Sequence, residues 1–177
     1  MTKILDLGCG KRKQKGAIGI DISKETDADI IHDLNTFPYP FVDNEFDYII
    51  CDNIIEHLDN VIKTMEEIWR ISKNNATIKI DVPYFRSLYG SIDPTHKHFF
   101  TYHSFFYFDP DHTFNELYKY SEAKFKVEKI VFDEKFNYRF IYKLIRWFAN
   151  KFPFLYEYRI SHLIPLNSLT FYLKTIK

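Results

Sequence analysis

The 177 residues, 46% hydrophobic and 27% charged, suffice for a sizeable buried core and have an ordinary globular composition. Twenty-four basic residues balance 24 acids, so total charge offers no case for nucleic acid or an acidic partner. No apolar run approaches the ~18 residues of a membrane span, and Met1-Thr2-Lys3 leads straight into the first apolar run; no transmembrane segment or leader is expected. Cys9 and Cys51 form neither a disulfide framework nor a zinc spacing, so the expected setting is a reducing one, the cytoplasm. Two imbalances remain. Aromatic residues reach 19%, and from Lys135 onward eight basic residues face one acid, leaving that tail at +7 and the rest at −7.

The chain opens on a short apolar run, Ile4-Leu5-Asp6-Leu7, that ends in Gly8-Cys9-Gly10, the pattern of a buried parallel strand entering a turn. Without a Cβ, those two glycines let backbone amides approach a ligand. Asp21 closes a second apolar segment, Ala17 to Ile20, and Asp33 a third, Ile30 to His32. In a parallel sheet the three strand ends share the edge where ligands bind. An acid ending the second strand suits the two hydroxyls of a ribose, and one ending the third suits an adenine amino group. A nicotinamide site competes for the same glycines. It is set aside because Lys11-Arg12-Lys13 follows where a third glycine is required, and Asp21 lies nearer than the usual ~20 residues.

With these residues in place, the sequence resembles the class I S-adenosylmethionine-dependent methyltransferases from residue 3 to about residue 108. The likeness is carried by LDLGCG at 5–10, GIDIS at 19–23, HDLN at 32–35, FDYIICDNIIEHL at 46–58 and IWRISKNNATIKIDVP at 68–83. It implies S-adenosyl-L-methionine as cofactor, with Asp6, Gly8, Cys9 and Gly10 at its methionine end. Asp21 and Ile22 would meet the ribose, Asp33, Leu34 and Asn35 the adenine, and Asp52 and Asn53 the far wall. The implied fold is α/β: a Rossmann-like, seven-stranded, mostly parallel sheet with helices on both faces and the last strand antiparallel.

Only eight residues separate Gly10 from Gly19, too few for a full crossover helix, so the first helix is expected to shrink to a turn or two. The basic run at 11–15 is either a solvated loop or a surface that turns Lys11 or Arg12 toward an anionic group. Prolines 38 and 40 mark a loop before a fourth strand, Phe46 to Cys51. Asp59 is the expected N-cap of a helix whose apolar stripe is Val61, Ile62, Met65, Ile68 and Trp69. Asn74-Asn75 is expected to end that helix in a left-handed turn, with the fifth strand over Thr77 to Val82. Glu56 and His57 offer one carboxylate and one imidazole, too thin a set for a metal, so none is expected.

Pro83 to Phe108 is dense in aromatic rings and histidines, just beyond the fifth strand. DPTHKHFFT at 93–101 resembles a recurring segment of the short-loop methyltransferases, which favours His98 and His96 as candidate bases with Asp93 as orienter. After a break at Asp109-Pro110-Asp111 a short helix through Leu117 is expected, then strands at Lys124 to Phe132 and Ser168 to Ile176. Residues 134–167 form a helical insertion before the last strand. Within it Phe140, Ile141, Leu144, Ile145 and Phe148 share one helical face opposite Arg139, Lys143 and Arg146. That helix reads as a lid, a dimer contact or a peripheral membrane contact. The expectation is one domain over 1–177, monomeric or homodimeric, that methylates an oxygen or nitrogen of a small-molecule acceptor. The alternative is a non-catalytic binding module that keeps the fold.

Overall fold

The computed structural model describes residues 2–136 and 139–177; Met1, and Asn137 and Tyr138 of the expected insertion, lie outside the described residues. Seven strands form one sheet: β1 (Ile4–Leu7), β2 (Ile18–Asp21), β3 (Ile30–Ile31), β4 (Phe46–Asp52), β5 (Ser72–Pro83), β6 (Lys124–Phe132) and β7 (Ser168–Ile176). Their order is β3-β2-β1-β4-β5-β7-β6. The first five pair in parallel, and β7 runs antiparallel to both β5 and β6. The helices are α1 (Val61–Ile71), α2 (Leu88–Ile92), α3 (Thr113–Tyr118), α4 (Phe140–Lys151) and a single turn, α5 (Pro153–Leu155), that runs into a wide π-type turn at Tyr156–Ile160. The β1–β2 crossover carries turns and no helix, as its length requires.

Strand register explains the core. Leu5 lies opposite Ile49, Ile49 opposite Ile78 and Ile78 opposite Leu173; one pleat further on come Leu7, Cys51, Ile80 and Phe171. All eight are fully buried, and they join Met65, Ile68 and Ile71 of α1 and Phe105 in one apolar cluster. Each such aliphatic side chain contributes roughly 1.5–3 kcal/mol relative to exposure. The alternate residues Ile4, Tyr48, Ile50 and Lys79 point to the other face, where they line an open groove of about 400 Å³.

Three expected boundaries move. The N-cap of α1 is Asn60, whose side chain accepts from the Lys63 amide at 3.0 Å; Asp59 instead pairs with Lys97 and gives its amide to Asn35. α1 passes directly into β5 at Ser72, so Asn75 takes its left-handed φ of +61° inside the strand, where the pairing with β4 shifts from Phe46–Ser72 to Tyr48–Thr77. Trp69 sits at the rim of the core with its indole N–H on the Ile176 carbonyl at 2.7 Å, while Thr64 takes a place on the fully buried face.

The insertion is tied at its base. Oδ1 of the buried Asp133 accepts from the amides of Asn167 and Ser168, both at 2.7 Å, which closes the two ends on each other. Tyr156 accepts from the Leu166 amide at 2.7 Å, and the buried Glu157 accepts from the Tyr102 amide at 2.9 Å. α4 meets the body through Ala149, Ile145, Asn150 and Arg146, the last donating to the Asp133 and Phe136 carbonyls. The expected apolar stripe is therefore split: Ile145 and Phe148 pack, whereas Phe140, Ile141 and Leu144 face outward.

Candidate functional site

The C-terminal ends of β1, β2 and β4 converge on the glycine turn. Gly8 has a φ of +71°, and a Cβ there would stand 2.4 Å from Ile54, so both backbone angle and packing require glycine. Gly10 is left-handed as well, and a Cβ added to it meets nothing within 4 Å. The Asp21 carboxylate accepts from the amides of Gly10 and Ser23, each at 3.0 Å, which fixes it at the tip of β2. Asp6 is buried beneath the turn and accepts from the Gln14 amide at 2.7 Å; burial raises its pKa despite that bond. Burial likewise pushes the Cys9 thiol up to about 11, which favours the neutral thiol over the thiolate.

Two cavities meet at Gly8. One, of about 290 Å³, is lined by Asp6, Gly8, Cys9, Gly10, Asp52 and Asn53 together with Lys11, Arg12 and Gln14. The other, of about 150 Å³, is lined by Asp21, Ile22, Asp33, Leu34 and Asn35, with Ile54, His57 and Leu58 closing it. All the residues expected at the cofactor thus fall on the walls of one divided cleft. Of the basic run, Lys13 is spent on Asp29 at 2.8 Å, whereas Lys11 and Arg12 reach the cleft.

A third cavity, of about 550 Å³, shares Arg12 and Asn53 with the first and adds Asp81, Pro83, Tyr89, Lys135 and Asn167. Lys135 bridges the Asp52 and Asp81 carboxylates. Asp81 is buried and accepts from Thr170 Oγ1 at 2.6 Å; burial raises its pKa. Spacing along the chain did not single out Asp81 or Lys135. Asp81 stands near the end of β5, in register opposite Asp52 at the end of β4, and that pair of acids on neighbouring strands is the signal available; the reach of Lys135 across 83 residues leaves none.

The histidine segment lies elsewhere. His98 donates from Nε2 to the Leu58 carbonyl at 2.8 Å, and its amide and that of Lys97 both reach the Glu56 carbonyl. His96 donates from Nδ1 to the Gly90 carbonyl at 3.2 Å and packs edge-on against His57. Asp93 accepts from the amide and hydroxyl of Thr95, whose oxygen in turn accepts from His57 Nδ1 at 2.9 Å. Through its side chain Asp93 therefore orients His57 by way of Thr95, in place of the expected His98 or His96, and none of Asp93, His96 and His98 lines the third cavity. Glu56 is fully buried and neither oxygen has a hydrogen-bond partner; burial pushes its carboxyl up to about 8. Glu56, His57 and His96 each offer one ligand atom within 4.8 Å of the others, so folding adds an imidazole to the pair visible in the sequence.

Residues 5–80 match the family model described as a methyltransferase domain. A putative methyltransferase of Haloferax volcanii, solved in complex with the Trm112 methyltransferase activator, superposes with a TM-score of 0.61 at 18% identity, over 99% of this chain and 83% of that one. An S-adenosylmethionine-dependent methyltransferase from Archaeoglobus fulgidus gives 0.55 at 19% identity, over 98% and 86%. The fold is that of the class I S-adenosylmethionine-dependent methyltransferases. An uncharacterised protein of Methanocaldococcus jannaschii is 33% identical over 96 residues, which span 45% of this chain; the chain spans 40% of the length of that curated relative.

S-adenosylmethionine is the cofactor that the methyltransferase match and fold support. The residues fit it. A divided cleft, a carboxylate fixed at the tip of β2 and a glycine turn with open space above Gly10 suit a ligand with a polar amino-acid end, a ribose and a flat base. Among the described residues no helix is long and apolar enough to cross a membrane.

Proposed function

We propose that the chain, working as one domain, transfers a methyl group from S-adenosylmethionine to an oxygen or nitrogen of a small-molecule acceptor. The shared wall carries this reading: Arg12 and Asn53 border both the methionine-end cavity and the larger one beside it, so donor and acceptor can sit side by side. In this reading Asp6, Gly8, Cys9 and Gly10 hold the methionine end, with Asp52 and Asn53 opposite. Asp21 and Ile22 hold the ribose, and Asp33, Leu34 and Asn35 the adenine. When bound, the cofactor supplies an electrophilic methyl group on a sulfonium.

The remaining work falls to the chain: seating the acceptor, excluding water and taking its proton. Asp81 is the proposed base, because it lines the acceptor cavity and its raised pKa brings it nearer the working range of a proton acceptor. Thr170 and Lys135 hold its carboxylate in place. His98, His96 and Asp93 act as positioning residues that brace the Ile55–His57 turn under the cofactor cleft. Cys9 and Cys51, both buried and unbonded, suit a reducing compartment, and the cytoplasm is the proposed setting.

The test is release of S-adenosylhomocysteine across a panel of hydroxyl and amine acceptors. Asp81→Asn is expected to lower kcat by at least about a hundredfold with cofactor affinity kept, and His98→Gln by less than about tenfold. The reverse ranking returns the base to His98. Tight cofactor binding with no turnover of any acceptor favours a binding module.

A further inference from the structure

The surface of the insertion breaks the pattern of the rest of the molecule. Along α4, Phe140, Leu144 and Trp147 recur at helical spacing and are 78%, 52% and 57% exposed, with Ile141 beside them at 65%. Phe154 and Leu155 of α5 continue the apolar surface at 54% and 50%. Arg139, Lys143, Lys151 and Arg159 stand exposed around these side chains, and Lys151 lies over the Trp147 ring at 4.9 Å. Between residues 139 and 165 the only carboxylate is Glu157, which is buried on the Tyr102 amide. The exposed face is apolar and cationic, and it carries no anion.

We propose that this face docks the protein on the surface of an anionic phospholipid bilayer, with α4 lying in the plane of the headgroups. Three observations select that occupant. Aliphatic and aromatic side chains bordered by lysine and arginine combine apolar insertion with attraction to anionic headgroups. A second copy of the chain fits poorly, since a twofold interface would set this cationic face against itself. The charge of the face adds to this: Arg139, Lys143, Lys151 and Arg159 stand exposed on it while Glu157, the one acid of the stretch, is buried, so the face is drawn to an anionic surface. Lys135 and Phe136, on the acceptor-cavity wall, lead into the insertion, so docking holds that cavity near the headgroups. The inference stands apart from the proposed methyl transfer.

The chain has two tryptophans, so a Trp69→Phe variant leaves Trp147 as the sole reporter. Its emission is expected to shift to the blue on adding phosphatidylcholine vesicles that contain about a third phosphatidylglycerol, and to stay unshifted with pure phosphatidylcholine. Trp69 donates a hydrogen bond to Ile176, so co-sedimentation of the unaltered chain with the same vesicles provides a parallel readout. An Arg139→Gln/Lys143→Gln double variant is expected to bind the anionic vesicles about tenfold more weakly, and Leu144→Glu more weakly still. Equal binding to both vesicles, or binding to neither, would overturn the proposal. So would a lipid-free dimer in which Trp147 emission is already blue-shifted, which would assign the face to a second copy.

Discussion

The cofactor edge and the C-terminal insertion use polar and apolar groups in opposite ways. At the edge, carboxylates and amides are paired off inside the fold: Asp21 with Gly10 and Ser23, Asp6 with Gln14, and Asp29 with Gly19 and Lys13. What is left open is a cleft of defined size. In the insertion the polar bonds lie at the base, on Asp133, Tyr156 and Glu157, and large apolar side chains face outward. The first arrangement builds a pocket for a small polar ligand, and the second builds a surface for something larger than the protein.

Substitutions at the edge should therefore cost far more than those on the insertion's outer face. Gly8→Ala should be the most damaging, because its Cβ meets Ile54 at 2.4 Å on a left-handed backbone. A loss of about 3 kcal/mol in chemical denaturation is expected, with cofactor binding abolished. Asp133→Ala removes the acceptor for two amides at the neck of the insertion and should cost about 2 kcal/mol, with enhanced proteolysis confined to 134–167.

Glu56 sharpens the comparison through pH. Its folded pKa of about 8 lies above the ordinary 4.5, so the folded state binds the extra proton. Its contribution is whole below 4.5 and is lost as pH rises through 8. Glu56→Gln should leave stability nearly unchanged at acid pH and raise it relative to the unaltered chain by on the order of 5 kcal/mol above the folded pKa, as read by thermal melts at both ends. The smallest effect belongs to Leu144→Glu, which should change stability by less than about 0.5 kcal/mol, because its side chain already faces water.

Where local chemistry fixes the outcome, the chain could be read directly. The alternation of Lys124–Phe132 and Ser168–Ile176 marks both strands to the residue, and the glycine turn with Asp21 and Asp33 marks the sheet edge. The misplacements have physical causes. Asp59 and Asn60 are both good caps, and the choice fell to Asn60 because Lys97 engages Asp59. Periodicity defined the apolar stripe of α4 but not which flank would pack, which Asn150 and Arg146 decide through bonds to Phe132, Asp133 and Phe136. His98 follows β5 in sequence, yet its segment folds back to Leu58 and Glu56, a tertiary contact without a local signal.

The central claim is that the divided cleft holds S-adenosylmethionine with Asp21 on its ribose. Calorimetric titration with S-adenosylmethionine and S-adenosylhomocysteine, with NAD as control, tests it most directly on the unaltered chain and on Asp21→Ala. The account predicts dissociation constants on the order of micromolar for both sulfur ligands, a loss of about a hundredfold or more in Asp21→Ala, and no heat with NAD. A folded chain that binds neither ligand, or an Asp21→Ala variant that binds both as well as the unaltered chain, would contradict it.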